Sequence, residues 1–218
     1  MIFNLLKKIA VILLLIIITL AFPNKSKAFN LFENEDCCEI DVWDLTIDDN
    51  IKYPNLPVNV ATQIKNHIHN EELHLKRLGY NTKLIRNDEV IMLNIPIDKL
   101  YPNNRTKLQP QNCDKLIKPL SRYLKIKGMY RIIYAVHHDN SSSSADADSI
   151  TNIRVLEIVD YTGNYVANSA TIIPYSMGND FPLSYITKEN DKNNRRLEIF
   201  IIPGEILIEL AAENQLKF

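Results

Sequence analysis

Two residues of opposite charge, Asp139 and Arg154, stand 15 positions apart in a chain of 218 residues. Asp139 follows His137 and His138 at the end of Met129–Val136, a near-continuous apolar and aromatic run of the kind found in a strand buried on both faces. Arg154 falls inside a helical stretch, Asp148–Tyr161, with an acidic residue at its start and Gly163 just past its end. The intervening loop, His137–Ala147, carries four consecutive serines and must turn the chain so that the helix crosses the sheet. A carboxylate and a guanidinium are therefore expected at the mouth of one cleft. Such a pair suits a zwitterionic ligand: Asp139 would accept hydrogen bonds from an ammonium, and Arg154 would fork onto a carboxylate. The positive end of the helix would add to the pull on the anion. The competing expectation is a salt bridge between the two, worth under about 1 kcal/mol if exposed.

Other chemistries fit less well. Adjacent strand residues point to opposite faces, so His137 and His138 cannot easily share a metal. Ser141 to Ser144 offer hydroxyls beside a His-Asp pair, but a serine run reads as flexible loop rather than nucleophile. His67, His69 and His74 sit on an earlier helix; His67 and His74 are seven apart, whereas zinc-binding helices space their histidines by four, and solvated surface histidines are expected. No Gly-rich phosphate loop or nucleophile elbow is present, and glycine occurs only five times. With a net charge of −1 the chain has no electrostatic footprint for nucleic acid. A binding protein is expected, without catalysis, metal or cofactor.

The elements that must position the pair can be read from periodicity. Pro57 and Gly79 bracket a helix with Ala61, Ile64, Ile68, Leu75 and Leu78 as its buried stripe. Residues 81–86 and 89–95 form a hairpin about Asn87-Asp88. Residues 98–110 read as loop, and 111–125 as a helix kinked by Pro119. Short strands are expected at 171–174 and 196–202, with a long loop at 176–193 between them and a closing helix over 205–215. The sum is an α+β domain, helices packed on one face of a mixed sheet and an N-terminal helix leading in.

The first residues follow different rules. Lys7 and Lys8 precede the apolar run Ile9–Phe22, too short to span a bilayer comfortably, and Ser26-Lys27-Ala28 has the small residues of a cleavage site. A secretory signal over 1–28, removed after Ala28, is expected. Residues 29–56 are rich in Asp and Glu from Glu33 to Asp49, yet include Trp43 and several aliphatics. They are either an acidic linker or an arm that packs on a partner. Export permits disulfides, so Cys113 either pairs with Cys37 or Cys38 or remains an inert thiol.

Several stretches resemble the OmpA-like C-terminal domain family. They are Ala135-Val136-His137-His138-Asp139-Asn140, Ile150-Thr151-Asn152-Ile153-Arg154-Val155, the loop Ile173–Gly178 with Pro182, and Asn194-Arg195-Arg196-Leu197-Glu198-Ile199. The spacing of aspartate and arginine equals the family's. The resemblance covers residues 80–203 and implies a β-α-β-α-β-β sandwich, with a C-terminal helix at 204–218 outside it. It also implies a periplasmic protein of a Gram-negative envelope, associated with the outer membrane, that binds peptidoglycan without cleaving it. By the same resemblance Asp139 would hold the ammonium of the diaminopimelate side chain and Arg154 its carboxylate, with Asn140, Asn194 and Arg195 contributing to the site. The chain departs from the family at Ser142, where glycine is usual, at Ala147, where asparagine is usual, and at Asp191, where arginine is usual. These departures motivate an alternative: a scaffold subunit of an envelope or surface-appendage complex, meeting an outer-membrane or envelope partner through the 29–56 arm.

Overall fold

The computed structural model describes residues 45–102, 107–166, 172–183 and 192–216, all within one compact unit, Asp41–Phe218. The signal segment, the arm as far as residue 44 (with Cys37, Cys38 and Trp43), Thr171 and Asp191 lie outside the described residues.

Thr46 opens α1 (Ile47–Lys52), its hydroxyl accepting from the Asp49 amide at 3.2 Å. Helix α2 (Val58–Arg77) starts behind Pro57, where a missing amide proton costs nothing at the first turn. Its buried stripe is Val60, Ile64, Ile68, Glu72 and Leu75. The expected stripe is corrected at both ends: Val60 rather than Ala61 begins it, and Leu78 is 53% exposed. Gly79, at φ +88°, turns the chain away there. Glu72 is tolerated inside because Thr82 Oγ1 donates to it at 3.1 Å and Lys76 pairs with it at 2.7 Å.

Strands β1 (Asn81–Ile85) and β2 (Val90–Pro96) form the expected hairpin, with Arg86, Asn87 and Asp88 all at positive φ. A single turn, α3 (Ile97–Leu100), replaces the loop expected next. Ile97, Leu100 and Tyr101 are each 0% exposed, and docking this apolar edge fixes the turn. Helix α4 (Pro110–Leu116) stops before Pro119 and the chain continues as a 3-10 helix, Lys118–Leu124, rather than as one kinked α-helix. Then come β3 (Tyr130–His137), α5 (Ser144–Gly163), β4 (Ile172–Ser176), β5 (Arg196–Pro203) and α6 (Glu205–Ala212). Helix α5 begins earlier than expected because Ser143 caps it, its hydroxyl accepting from the Asp146 amide at 3.3 Å.

The five strands lie in the order β1-β2-β5-β3-β4. β3 and β4 pair in parallel across the α5 crossover; the remaining ladders are antiparallel. The fold is therefore α+β on a mixed sheet, as expected. Alternation sorts β3 into two faces. Ile132, Tyr134 and Val136 join Leu93, Ile199, Ile64 and Ile158 in the larger core beneath the helices. Ile133 and Ala135 join Val90, Ile173, Phe200 and Ile202 on the opposite face, where Ile47 and Ile51 of α1 pack over them.

That second face gives residues 45–54 a place on the domain. Arg86 donates to the carbonyls of Ile51 (2.8 Å) and Pro54 (2.6 Å), and Arg131 to that of Tyr53 (2.7 Å) and to Asn50. Asn50 is 0% exposed and donates to the Tyr175 hydroxyl at 2.6 Å; that hydroxyl donates to the Leu45 carbonyl at 2.7 Å. Cys113 is a free thiol inside the core, its pKa pushed up to about 12 by burial and by Glu157 and Asp114, and its candidate partners Cys37 and Cys38 lie outside the described residues. Among the described residues, no helix is long and apolar enough to cross a membrane.

Candidate functional site

Strand β3 delivers Asp139 beyond its last ladder pair, His137 with Arg196. The His138 amide donates to the Gly178 carbonyl at 2.7 Å, so the segment after β4 continues to guide the chain to Asp139. The Asp139 side chain is 1% exposed. Its Oδ1 accepts from the Ser141 amide (3.3 Å) and hydroxyl and lies 3.2 Å from His138 Nδ1, while its Oδ2 accepts from Arg195 Nη1 at 3.2 Å. The serine run thus has local work: Ser141 anchors the carboxylate and Ser143 caps α5.

Helix α5 delivers Arg154, 3% exposed, with its guanidinium 4.9 Å from the centre of the Tyr101 ring. The Tyr101 hydroxyl donates to Glu157 Oε2 at 3.0 Å, and Glu157 Oε1 accepts from the Leu108 amide at 3.2 Å. Burial lowers the Arg154 pKa most; Asp98 and Glu157 oppose that, and Arg195 adds to it. Arg195 is the hub. Its Nη2 donates to Asp98 Oδ2 at 2.8 Å while Nη1 holds Asp139, and its carbonyl accepts from the Ile97 amide at 2.9 Å. The first residues of β5 and the turn α3 are thereby locked to the end of β3.

The structure brings Asp139 and Arg195 into direct contact, and sets Arg154 close enough to Arg195 and Asp98 to feel both charges. The two carboxylates, Asp98 and Asp139, thus share the Arg195 guanidinium. Asn194 does something else: at 2% exposure its Oδ1 accepts from the Leu183 amide at 2.9 Å, pinning the loop after β4. Asn140 is exposed beside Asp139. Sequence reasoning missed Asp98, Tyr101 and Glu157. Asp98 and Tyr101 went unnoticed because the Pro- and Asn-rich stretch after them hid a helical turn, although Ile97, Leu100 and Tyr101 repeat at three and four.

Two glycine-loop contacts hold the frame. Thr151 Oγ1, buried on α5, donates to the Ala147 carbonyl at 2.8 Å and accepts from the Gly178 amide at 3.2 Å. Gly178 sits at φ +50°, and a Cβ there would meet Asp148 Oδ1 at 2.1 Å.

On the opposite sheet face, His137 Nε2 lies 3.2 Å from Glu198 Oε2, and Arg196 Nε donates to Glu198 Oε1 at 2.7 Å. Burial lowers the His137 pKa, which leaves the imidazole neutral. Burial alone would raise Glu198, but its bonds with His137 and Arg196 outweigh that and carry it to about 2. His137 and His138 thus reach different carboxylates on different faces, as strand geometry required. His67 is not solvated as expected: it is half-buried and 2.6 Å from the Tyr130 hydroxyl. Among the described residues no group of three or more His, Cys, Asp or Glu could hold a metal ion.

No protein-family model matches this chain, and no curated protein does. Solved structures do. A MotB-like protein from Desulfovibrio vulgaris aligns over 65% of this chain and 95% of its own, at 17% identity and a TM-score of 0.52. The cell wall anchor of the T6SS from Pseudomonas aeruginosa aligns over 63% and 95%, at 15% identity and 0.47. The OmpA-like domain of FopA1 from Francisella tularensis aligns over 58% and 82%, at 16% and 0.36. The first of these carries the comparison, and at such identity it speaks to fold alone. The chain shares the fold of that MotB-like protein.

Proposed function

We propose that this protein is a non-catalytic periplasmic module that binds peptidoglycan through the diaminopimelate residue of its stem peptide. The observation that carries the reading is the ion pair of Asp139 with Arg195 at one end of the sheet, with Arg154 close enough to Arg195 and Asp98 to feel both charges. The ligand ammonium would sit on Asp139 and the ligand carboxylate on Arg154. Tyr101, stacked on the guanidinium, would hold its plane for a forked contact. The fold shared with a MotB-like protein accords with this reading.

Co-sedimentation with purified sacculi tests it. The wild-type protein should pellet with them. Asp139→Ala and Arg154→Ala should each weaken binding by about 2–5 kcal/mol, as expected when one partner of a desolvated charged contact is lost. Undiminished pelleting of both variants would remove the clamp.

A second reading, a scaffold subunit of an envelope complex, is favoured by one observation. Ala147, standing where the resembled family has a pocket asparagine, is 0% exposed and serves only the packing of α5. Under that reading, deleting residues 29–44 abolishes assembly while binding to sacculi is unchanged.

A further inference from the structure

The sheet ends in two edge strands, β1 and β4, and they are not equally open. β4 carries Pro174 in the middle of its five residues, so its backbone lacks a donor there. β1 has neither proline nor glycine, its register with β2 runs without a bulge, and β2 is its only ladder partner among the described residues. About half of its N–H and C=O groups therefore point outward, away from β2. The side chains flanking that edge are basic. Lys83 is exposed on the face it shares with Asn81 and forms no ion pair with a described carboxylate. On the other face Thr82 donates to Glu72, whose Oε1 also holds Lys76 at 2.7 Å. A second ammonium, half exposed, thus stands beside the strand, and Glu72 itself is buried.

A cleft of about 490 Å³ opens at the start of the strand, with Asn81 on its rim. Pro96, Leu116 and Leu183 give it apolar wall, Lys99 lines it too, and no carboxylate is among its described lining residues. These features select an occupant. A free sheet edge is completed by another extended chain, whose backbone makes the missing hydrogen bonds. A second copy pairing through its own β1, antiparallel and centred on Lys83, would set two Lys83 ammoniums directly opposite each other, which is destabilising. An acidic segment instead brings carboxylates to Lys83 and Lys76, and an apolar side chain at its end fits the cleft.

We infer that the outer edge of β1 binds an extended acidic segment of a partner protein, added as a further strand and anchored by an apolar side chain in the cleft. The inference uses neither Asp139 nor Arg154 and stands apart from the peptidoglycan reading. Its probe is a synthetic decapeptide alternating glutamate and valine, labelled and added to the full chain at neutral pH. Fluorescence anisotropy should show saturable binding, and hydrogen exchange should show new protection of amides within β1. A lysine–valine peptide, repelled by the basic edge, and a fully N-methylated glutamate–valine peptide, unable to donate ladder bonds, should each bind at least about tenfold more weakly. Lys83→Glu, a change at an exposed position, should weaken the acidic peptide about tenfold and strengthen the lysine peptide. The inference is overturned if the wild-type protein ignores the acidic peptide or if protection falls outside β1. Equal binding of the N-methylated peptide, or equal binding of the acidic peptide by Lys83→Glu, overturns it too. Self-association of the peptide-free protein with protection at β1 would also overturn it, in favour of a second copy at that edge.

Discussion

Arg195 donates to Asp139 at 3.2 Å with one arm of its guanidinium and to Asp98 at 2.8 Å with the other. One side chain thus joins the end of a central strand to a turn between β2 and α4. With Asp139 1% exposed, removing Arg195 strands a buried carboxylate. Arg195→Ala should cost about 3–5 kcal/mol of folding stability, more than Asp98→Ala, whose side chain is 41% exposed. Urea denaturation of both variants checks the ranking.

Gly178 is predicted to be intolerant of any side chain. Its positive φ alone disfavours an L-residue by roughly 1–2 kcal/mol, and its carbonyl and amide hold His138 and Thr151. Asp148 Oδ1, the nearest obstacle, is the end of a side chain and can move. Gly178→Ala should therefore lose about that backbone cost in a denaturation curve, and Asp148→Ala should not rescue it.

Acid should loosen the domain before its carboxylates titrate. His137 and His67 both have pKa values lowered from 6.5, chiefly by burial. As pH falls through 6.5 the unfolded chain takes up protons that the folded chain refuses, so stability is lost on acidification from that point. Glu198, held at about 2, contributes separately, its stabilisation present above its ordinary 4.5 and lost as pH falls toward 2. Melting temperature followed from pH 8 to 5 should fall, and His137→Gln should flatten that fall.

Residues 45–54 should behave as part of the fold. Asn50 is fully buried and bridges Tyr175 and Arg131. Asn50→Ala leaves the Arg131 guanidinium short of a partner and should cost about 1–3 kcal/mol. Removing the chain before Val58 should bare Ile133, Phe200 and Ile202 and raise binding of an apolar dye.

The fold was legible where one physical signal dominated. Ile64, Ile68 and Leu75 at helical spacing, the buried run of β3 and the hairpin about Asn87-Asp88 all appear where periodicity and turn chemistry put them. The misses share a cause. The turn bearing Asp98, the packing of Ile47 and Ile51 on the sheet, and the burial of His67 against Tyr130 are set by tertiary contacts between distant segments. Asp139 and Arg195 were singled out from their motifs, but that they bond to each other depends on β3 and β5 lying side by side, which no local pattern encodes. Asn194 was likewise singled out from its motif, but that its carboxamide oxygen accepts from the Leu183 amide depends on the path of the loop after β4.

The account turns on whether the charges around Arg195 read a ligand bearing both signs. Titration calorimetry of the folded protein with free diaminopimelate, repeated for Asp139→Asn and Arg154→Gln, addresses that directly. The account predicts saturable heat for the wild-type protein and at least about thirtyfold weaker binding in either variant, the lower end of what a lost buried charge contact costs. Equal affinity in all three, with the variants still folded by circular dichroism, would contradict it.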